Sequence, residues 1–442
     1  MTGIDPFQRG EKLSLALNHA SIGEDIYAFA AEIYPLFRSV SGAGSRETFA
    51  RMAKHVDLTV HEVASGTQVF DWTVPNEWRI NDAYIADASG KRVLDLGASN
   101  LHVINYSAPA AGRALLSELK PRIHTLPDKP SAIPYVTSFF QETWGFCMAQ
   151  AALDALPEGE YEYKIDSSLA PGSMSYAEFA HKGEEEDEIL IFSHSCHPSL
   201  ANDNCSGLAV STFLAKQLSK APTRYSYRFV WAPTTIGSIA WLARNENAVS
   251  RIRGGLVLSN VGDGAPFTYK KSRRGAGPMD RAMAHLLVAS DGKIIEFTPQ
   301  GYDERQFNSP GFLLEVGTLM RGYGASYPSY HTSDDNLDRI RPEYLGESYR
   351  LAAQAISIIE RDGRWQSVIT KCEPQLGRRG LHASYSFDRD APAKNAATMW
   401  TAAFCDGANT LLDIAVRAAM PFERIYEAAA KLAAAGLITP LA

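Results

Sequence analysis

From Met174 onward the chain alternates short apolar strands with helix-length stretches, and this alternation restricts the fold more than any other feature. The strand SMSYAEFAHKG (173–183) is followed by an acidic turn, EEEDE (184–188), and by ILIFSH (189–194), whose first four residues are all apolar. An apolar run without polar alternation is expected where a strand is covered on both faces. The helix-like GLAVSTFLAKQLSK (207–220) comes next, then the strand RYSYRFVWAP (224–233), the helix IGSIAWLARNENAVSRI (236–252) and the strand GGLVLSNV (254–261). Units of this kind predict an α/β domain with a mainly parallel sheet, which takes its ligands at the carboxyl ends of its strands.

The flanking regions differ in texture. Residues 21–56 carry apolar positions at helical spacing, broken at Ser41-Gly42-Ala43-Gly44. Short alternating runs from LTVHEV to LHVINYS, and again YEYKIDSS (161–168), read as strands and turns. The last 60 or so residues read as three short helices resembling a winged helix. On this reading residues 1–57 and 170–375 form the α/β domain, 58–169 a β-rich insertion, and 380–442 a winged-helix domain.

Charge and cysteine usage narrow the function. Lys and Arg number 43 against 50 Asp and Glu, a net −7, and the winged-helix segment has five basic residues against six acidic ones, a net −1. Neither surface suits a phosphate backbone, so no nucleic-acid partner is expected. Protein contact is expected instead, with Leu412, Ile414 and Ile425 as the apolar residues of a possible dimer interface. No leader-like apolar segment and no run of about 18 apolar residues is present, so the expected location is cytoplasmic, without a membrane. Five scattered cysteines with no C-x-x-C pair indicate neither a disulfide framework nor a thiolate metal site. A metal here would need histidine and carboxylate ligands.

Such ligands cluster in SHSCHPSLANDNCSG (193–207), where ILIFSH ends: His194, His197 and Asp203. Imidazole and carboxylate together suit zinc with an open position for water. A distant partner loop, ASYPSYHTSDDNLD (325–338), supplies His331, Asp334 and Asp335; between the two lies YDERQF (302–307), with Asp303, Glu304 and Arg305. Cys196 and Cys205 could make a thiol–histidine pair, but free cysteines beside a buried strand are usually small hydrophobes.

These motifs resemble the zinc-dependent aminopeptidase and glutamate carboxypeptidase superfamily, in particular its branch of "aminopeptidase-like domain" proteins with a C-terminal winged helix. The shared features are CHPSLANDN-x-SG, TIGSI-W, YKKSRR, DERQF and YHTS-DN, over about Ile22 to Ile438. The resemblance implies a zinc-aminopeptidase-like mixed sheet flanked by helices, and Zn2+ held by His197, Asp203 and His331, with His194 as the alternative first histidine. It implies hydrolysis of an amide or peptide bond in a small substrate, with a hint of an acyl-amino compound in polysaccharide or small-molecule biosynthesis.

Two departures matter. Where a further Asp ligand would follow the next strand, this chain has Ser259, with Asp263 four residues on, so the expectation is one zinc per chain held by two histidines and an aspartate, or a site completed by Asp303, Glu304 or Asp263. Where the superfamily has a Glu-Glu pair, this chain has Thr234-Thr235, and threonine is no general base near neutral pH. Glu304 or Asp303 is the expected replacement, the competing role being a salt bridge to Arg305 or Arg321. Tyr330 is a candidate oxyanion donor. Lys271, Arg273 and Arg274, after Lys270, together with Arg305, are candidates to clamp a substrate carboxylate. The rival reading is a catalytically silent metal-binding or assembly protein that keeps the fold.

Overall fold

A computed structural model describes residues 5–288, 290–323, 327–382 and 389–441. Residues 325 and 326 of the late histidine loop, and Asp388 with its neighbours at the start of the winged-helix segment, lie outside the described residues.

The chain opens with helices α1 (Pro6–Leu17), α2 (Ile22–Ile33) and α3 (Ala43–Met52), then strand β1 (Thr59–Ala64). Strands β2 (Glu77–Ala86), β3 (Arg92–Asp95), β4 (Ala110–Leu115) and β5 (Glu160–Ala170) form a separate antiparallel sheet in the order β3-β2-β5-β4. The main sheet resumes with β6 (Ser173–His181), β7 (Glu188–His194), helix α4 (Gly207–Leu218), β8 (Ser226–Ala232), helix α5 (Ile236–Arg244) and β9 (Ile252–Leu258). It is completed by β10 (Thr268–Lys270), helix α6 (Pro278–Leu287), β11 (Lys293–Ile295), the short helix α7 (Glu304–Phe307) and β12 (Val316–Met320). Its order is β1-β6-β8-β7-β9-β12-β10-β11.

Strand β7 explains why its sequence is continuously apolar. Ile189 and Ile191 enter one core, with α2, α4 and the long helix α8 (Pro342–Arg361), while Leu190 and Phe192 enter a second core with α5. Each such side chain contributes about 1.5–3 kcal/mol on burial. β7 pairs in parallel with β8 on one side and β9 on the other, and the connections through α4 and α5 cross opposite faces. The carboxyl end of β7 is therefore a topological switch point, and His194 is its last residue.

Three expectations need correction. The sheet is less parallel than the strand–helix rhythm suggests and is mixed, as the resemblance implies: β1 pairs antiparallel with β6, β6 with β8 and β10 with β12, while β10 is parallel to β11. β1 lies within the expected 58–169 insertion, yet it is the edge strand of the main sheet. Its alternating pattern resembles that of the insertion strands, and its partner β6 is over a hundred residues away in sequence. The third correction is at the other end. Strand β13 (Arg364–Ser367), expected in the α/β domain, is the central strand of the winged-helix sheet, between β14 (Asp406–Thr410) and β15 (Ile438–Pro440).

Helices α9 (Ala391–Phe404), α10 (Leu411–Ala418) and α11 (Phe422–Ala434) complete that unit. It packs on the α/β domain: Phe7 stacks on Trp365 at 5.1 Å, Arg281 pairs with Asp413 at 2.7 Å, and Phe422 N donates to His285 Nε2 at 3.1 Å. Leu412, Ile414 and Ile425 are buried within the chain, so these side chains offer nothing to a second copy, contrary to their expected role. Among the described residues no helix is long and apolar enough to cross a membrane.

Candidate metal centre

The loop after β7 is fixed at both ends before any ligand is considered. Asn204 Nδ2 donates to Ser193 Oγ at 2.9 Å and to His194 O at 3.2 Å, while its Oδ1 accepts from Gly207 N and Asn260 N, both at 3.2 Å. A Cβ on Gly207 would lie 2.4 Å from Asn204 Oδ1 and 2.5 Å from Leu258 O, so only glycine lets α4 begin this close to the strand ends. The distant loop is tied in through Asp335. Its Oδ1 accepts from Asn202 N at 2.7 Å, and its Oδ2 accepts from Asp203 N at 2.9 Å and Tyr327 OH at 2.7 Å. Burial pushes the Asp335 carboxyl up to about 7, against the pull of these donors.

Asp203 is the centre of the arrangement. His194 Nε2 donates to its Oδ1 at 2.9 Å; His331 Nε2 lies 3.1 Å and His197 Nε2 3.8 Å from its Oδ2. The potential ligand atoms of His194, His197 and Asp203 all fall within 4.8 Å of one another. Burial alone raises the Asp203 carboxyl, but the imidazoles of His197, His194 and His331 around it outweigh that effect and hold the group well below the usual carboxylate range. Burial holds His197 well below its ordinary value, and therefore neutral.

Two atoms are conspicuous. Asp203 Oδ2 and His331 Nε2 are both buried and lack a hydrogen-bond partner: their 3.1 Å separation is an ion-pair distance without hydrogen-bond alignment. Buried polar atoms are rarely left so. Three imidazoles and a carboxylate around them fit a borderline cation such as zinc.

The geometry also distinguishes the hydrogen bonding of the two loop histidines. His194 Nδ1 faces the Asn204 amide at 3.3 Å and its Nε2 is committed to Asp203 Oδ1, so both ring nitrogens are engaged. His197 Nδ1 lies 3.3 Å from Cys196 Sγ, leaving its Nε2 on the side of Asp203 Oδ2. Burial pushes the Cys196 thiol far up, as an inert small hydrophobe would have it.

The remaining candidates are dispersed. Asp303 Oδ1 accepts from Ser238 Oγ at 2.6 Å, its Oδ2 is buried without a partner, and burial raises its carboxyl. Glu304 Oε1 is bonded to Lys270 Nζ at 2.8 Å, a fully buried pair; neither expected salt bridge forms, since Arg321 pairs with Glu347 and Arg305 donates to Thr235 Oγ1. Tyr330 stacks on His331 with ring centroids 3.8 Å apart, and burial together with Asp203 pushes its hydroxyl well up. Lys271 pairs with Glu296 at 2.7 Å, Arg274 with Glu315 at 3.6 Å, and Arg273 binds Asn308 through its backbone N–H. None of these three has a hydrogen bond or ion pair to the Asp203 cluster among the described residues.

Other site residues carried no legible signal. Tyr302 stacks on His194, and Tyr135 contacts the rings of both His197 and His331. Arg38, fully buried, donates from Nε to His197 O at 2.8 Å and from Nη2 to Cys205 Sγ at 3.0 Å. It is 159 residues from His197, and no local pattern joins the two. Replacing it by methionine keeps the volume but leaves His197 O unpaired. The expected result is a loss of about 1–3 kcal/mol of stability by urea unfolding and of about 10–100-fold in metal affinity; unchanged metal affinity would remove Arg38 from the site's support.

Comparison with known proteins agrees with this architecture. Residues 27–362 match a family described as a domain of unknown function (DUF4910), and residues 363–440 a winged helix-turn-helix family. A Clostridium acetobutylicum protein, provisionally named for polysaccharide biosynthesis with an aminopeptidase-like domain, is 45% identical over 415 residues, 93% of this chain and 95% of its own. The crystal structure of a provisionally named peptidase from the same species superposes with a TM-score of 0.91 at 42% identity, covering 99% of this chain and 100% of that one. A zinc aminopeptidase from Bacillus subtilis shares the fold at a TM-score of 0.55 and 16% identity, over 76% of this chain and 94% of its own. The late boundary of the first family match at residue 362 also agrees with the placement of β13 in the winged helix. With three quarters of its length matched by one family and a full-length relative at 45% identity, the chain belongs to the DUF4910 family, an aminopeptidase-like domain followed by a winged helix.

Proposed function

We propose that the protein is a zinc-dependent hydrolase of an amide bond in a small substrate, with Asp203 Oδ2, His197 and His331 as the residues that hold the metal and His194 steadying the opposite carboxylate oxygen. The observation that carries this reading is the pair of buried, unpartnered atoms on facing loops, Asp203 Oδ2 and His331 Nε2. A zinc ion there supplies a Lewis acid and lowers the pKa of a bound water.

The protein's own groups do the rest. Asp303 is the proton acceptor: Ser238 fixes Oδ1, Oδ2 is free to take the proton, and a carboxyl raised by burial moves toward the range a general base needs. Tyr330 keeps its hydroxyl proton and donates it in a hydrogen bond to the carbonyl oxygen. The Clostridium relative is named for polysaccharide biosynthesis, and we take the substrate to be an acyl-amino compound of such a pathway.

Two measurements test this. Zinc content per chain should be close to one and should fall in His197→Ala and His331→Ala. Asp303→Asn should keep its zinc and lose about 10²–10⁴-fold in kcat on amide substrates, and wild-type kcat/KM should decline as pH drops through the raised Asp303 pKa, because only the ionised form accepts a proton. Wild-type turnover by the Asn variant would reassign the base.

A second reading is favoured by one observation. The Thr234-Thr235 loop offers no carboxylate, and Thr235 Oγ1 is engaged by Arg305. A silent metal-binding or assembly protein fits that loop. Zinc binding without turnover of any amide would select it.

A further inference from the structure

Arg305 is half-buried and, among the described residues, forms no ion pair. Its Nη2 donates to Thr235 Oγ1 at 3.0 Å, and its Nε is buried with no acceptor. The buried cations Lys270, Arg321 and Arg38 are satisfied, by Glu304, by Glu347 and by three acceptors in turn. A guanidinium drawn out of water without a counter-ion is unfavourable, and its planar fork suits a carboxylate that takes two donors at once.

The position is beside the candidate metal centre. Ala232 is the strand partner of His194, Thr235 is three residues further on, within about 11 Å of Ala232 by chain length, and Tyr302, three residues before Arg305, stacks on His194. Asp303, two residues before Arg305, is held by Ser238 on the adjoining helix α5. The buried carboxylates Asp203, Glu304, Asp303 and Asp335, by contrast, each have a partner. Asp203 faces three histidines, Glu304 is paired with Lys270, Asp303 is held by Ser238, and Asp335 accepts two backbone N–H groups. The carboxylate oxygens left without a hydrogen bond among these four, Asp203 Oδ2, Asp303 Oδ2 and Glu304 Oε2, are given by the hydrolase reading to the metal, to proton transfer and to the ion pair with Lys270, so none of them is reserved for a substrate ammonium, whereas an anion finds an unpaired guanidinium.

We infer that Arg305, braced by Thr235, forms an anion subsite, and that the substrate is an N-acylated amide bearing a carboxylate, such as an N-acyl amino acid, rather than a peptide with a free amino terminus. This rests on the hydrolase reading above and specifies its substrate class.

The test is calorimetric titration of the zinc-loaded protein with N-acetylglycine and with N-acetylglycinamide, which differ only in the charge. Wild type is expected to bind the carboxylate at least about tenfold more tightly. Arg305→Met should bring that ratio to about one, while Arg305→Lys, which keeps the cation, should retain part of it and guards against a folding defect. Equal affinity for the two probes in wild type, or no binding of either, overturns the proposal. So does a preference that survives Arg305→Met and vanishes when zinc is stripped, because the ion is then the anion's partner. Zinc content of the same samples reports separately on the hydrolase reading: a protein without zinc that still prefers N-acetylglycine through Arg305 keeps the subsite and loses the reading.

Discussion

Asp203→Ala is expected to abolish zinc binding, lowering affinity by more than the roughly 10–100-fold that loss of an outer hydrogen-bond partner costs. The carboxylate is fully buried, and the three histidines have it in common: one donates to Oδ1 and two face Oδ2. Removing it leaves His197 and His331 without an anion between them, and His194 without its acceptor. Asp203→Asn sharpens the result, since it keeps an oxygen for His194 but not the charge. If the asparagine variant binds zinc as wild type does, Asp203 is a hydrogen-bonding brace and not a ligand. Elemental analysis and competition with a chelator measure both variants. The pH dependence has a defined sign, because ligands must be deprotonated to bind. Burial holds His197 below the usual imidazole range, so in the proposed role of metal ligand it is expected to survive acidification that would protonate an exposed histidine.

Much of this centre was legible in the sequence, and the limits have physical causes. ILIFSH announced a strand covered on both faces because burial on two sides removes any need for polar alternation, and the loop at its end carried His194, His197 and Asp203 in one stretch. His331 was legible as a second loop of the same chemistry. The division of labour between His194 and His197 was not, since it depends on which ring nitrogens Asn204 and Asp203 occupy, a matter of side-chain orientation. Arg38 was invisible because it meets the loop through the backbone carbonyl of His197 and the sulfur of Cys205, contacts between distant segments that no local pattern announces. Lys270 was misplaced for a different reason. YKKSRR reads as a basic surface turn because lysine is seldom fully buried, yet Thr268–Lys270 is a buried strand, and only the second lysine and the arginines face outward toward their own partners.

That buried lysine yields the largest expected effect on stability. Lys270 and Glu304 are 34 residues apart, both below 2% exposed, and joined at 2.8 Å, with Gln300 O also accepting from Nζ. Lys270→Met leaves the Glu304 carboxylate buried and uncompensated, with Oε2 already lacking a partner. The expected cost is about 3–5 kcal/mol, whereas the double replacement Lys270→Met with Glu304→Leu should recover most of it, because an apolar pair of similar volume carries no desolvation penalty. Urea unfolding measures all three proteins. A single-variant loss below about 1 kcal/mol would mean that the pair is solvated like a surface bridge. The double variant also decides between the two acids of YDERQF. Glu304 begins helix α7 and adjoins Asp303, so a pair that serves only to anchor this turn can be exchanged for apolar packing without loss of chemistry. If the double variant keeps its zinc and its turnover, Glu304 is no general base, and the proton falls to Asp303. If zinc stays and turnover disappears while the fold is restored, the carboxylate of Glu304 is needed for more than anchorage, and the assignment to Asp303 is wrong.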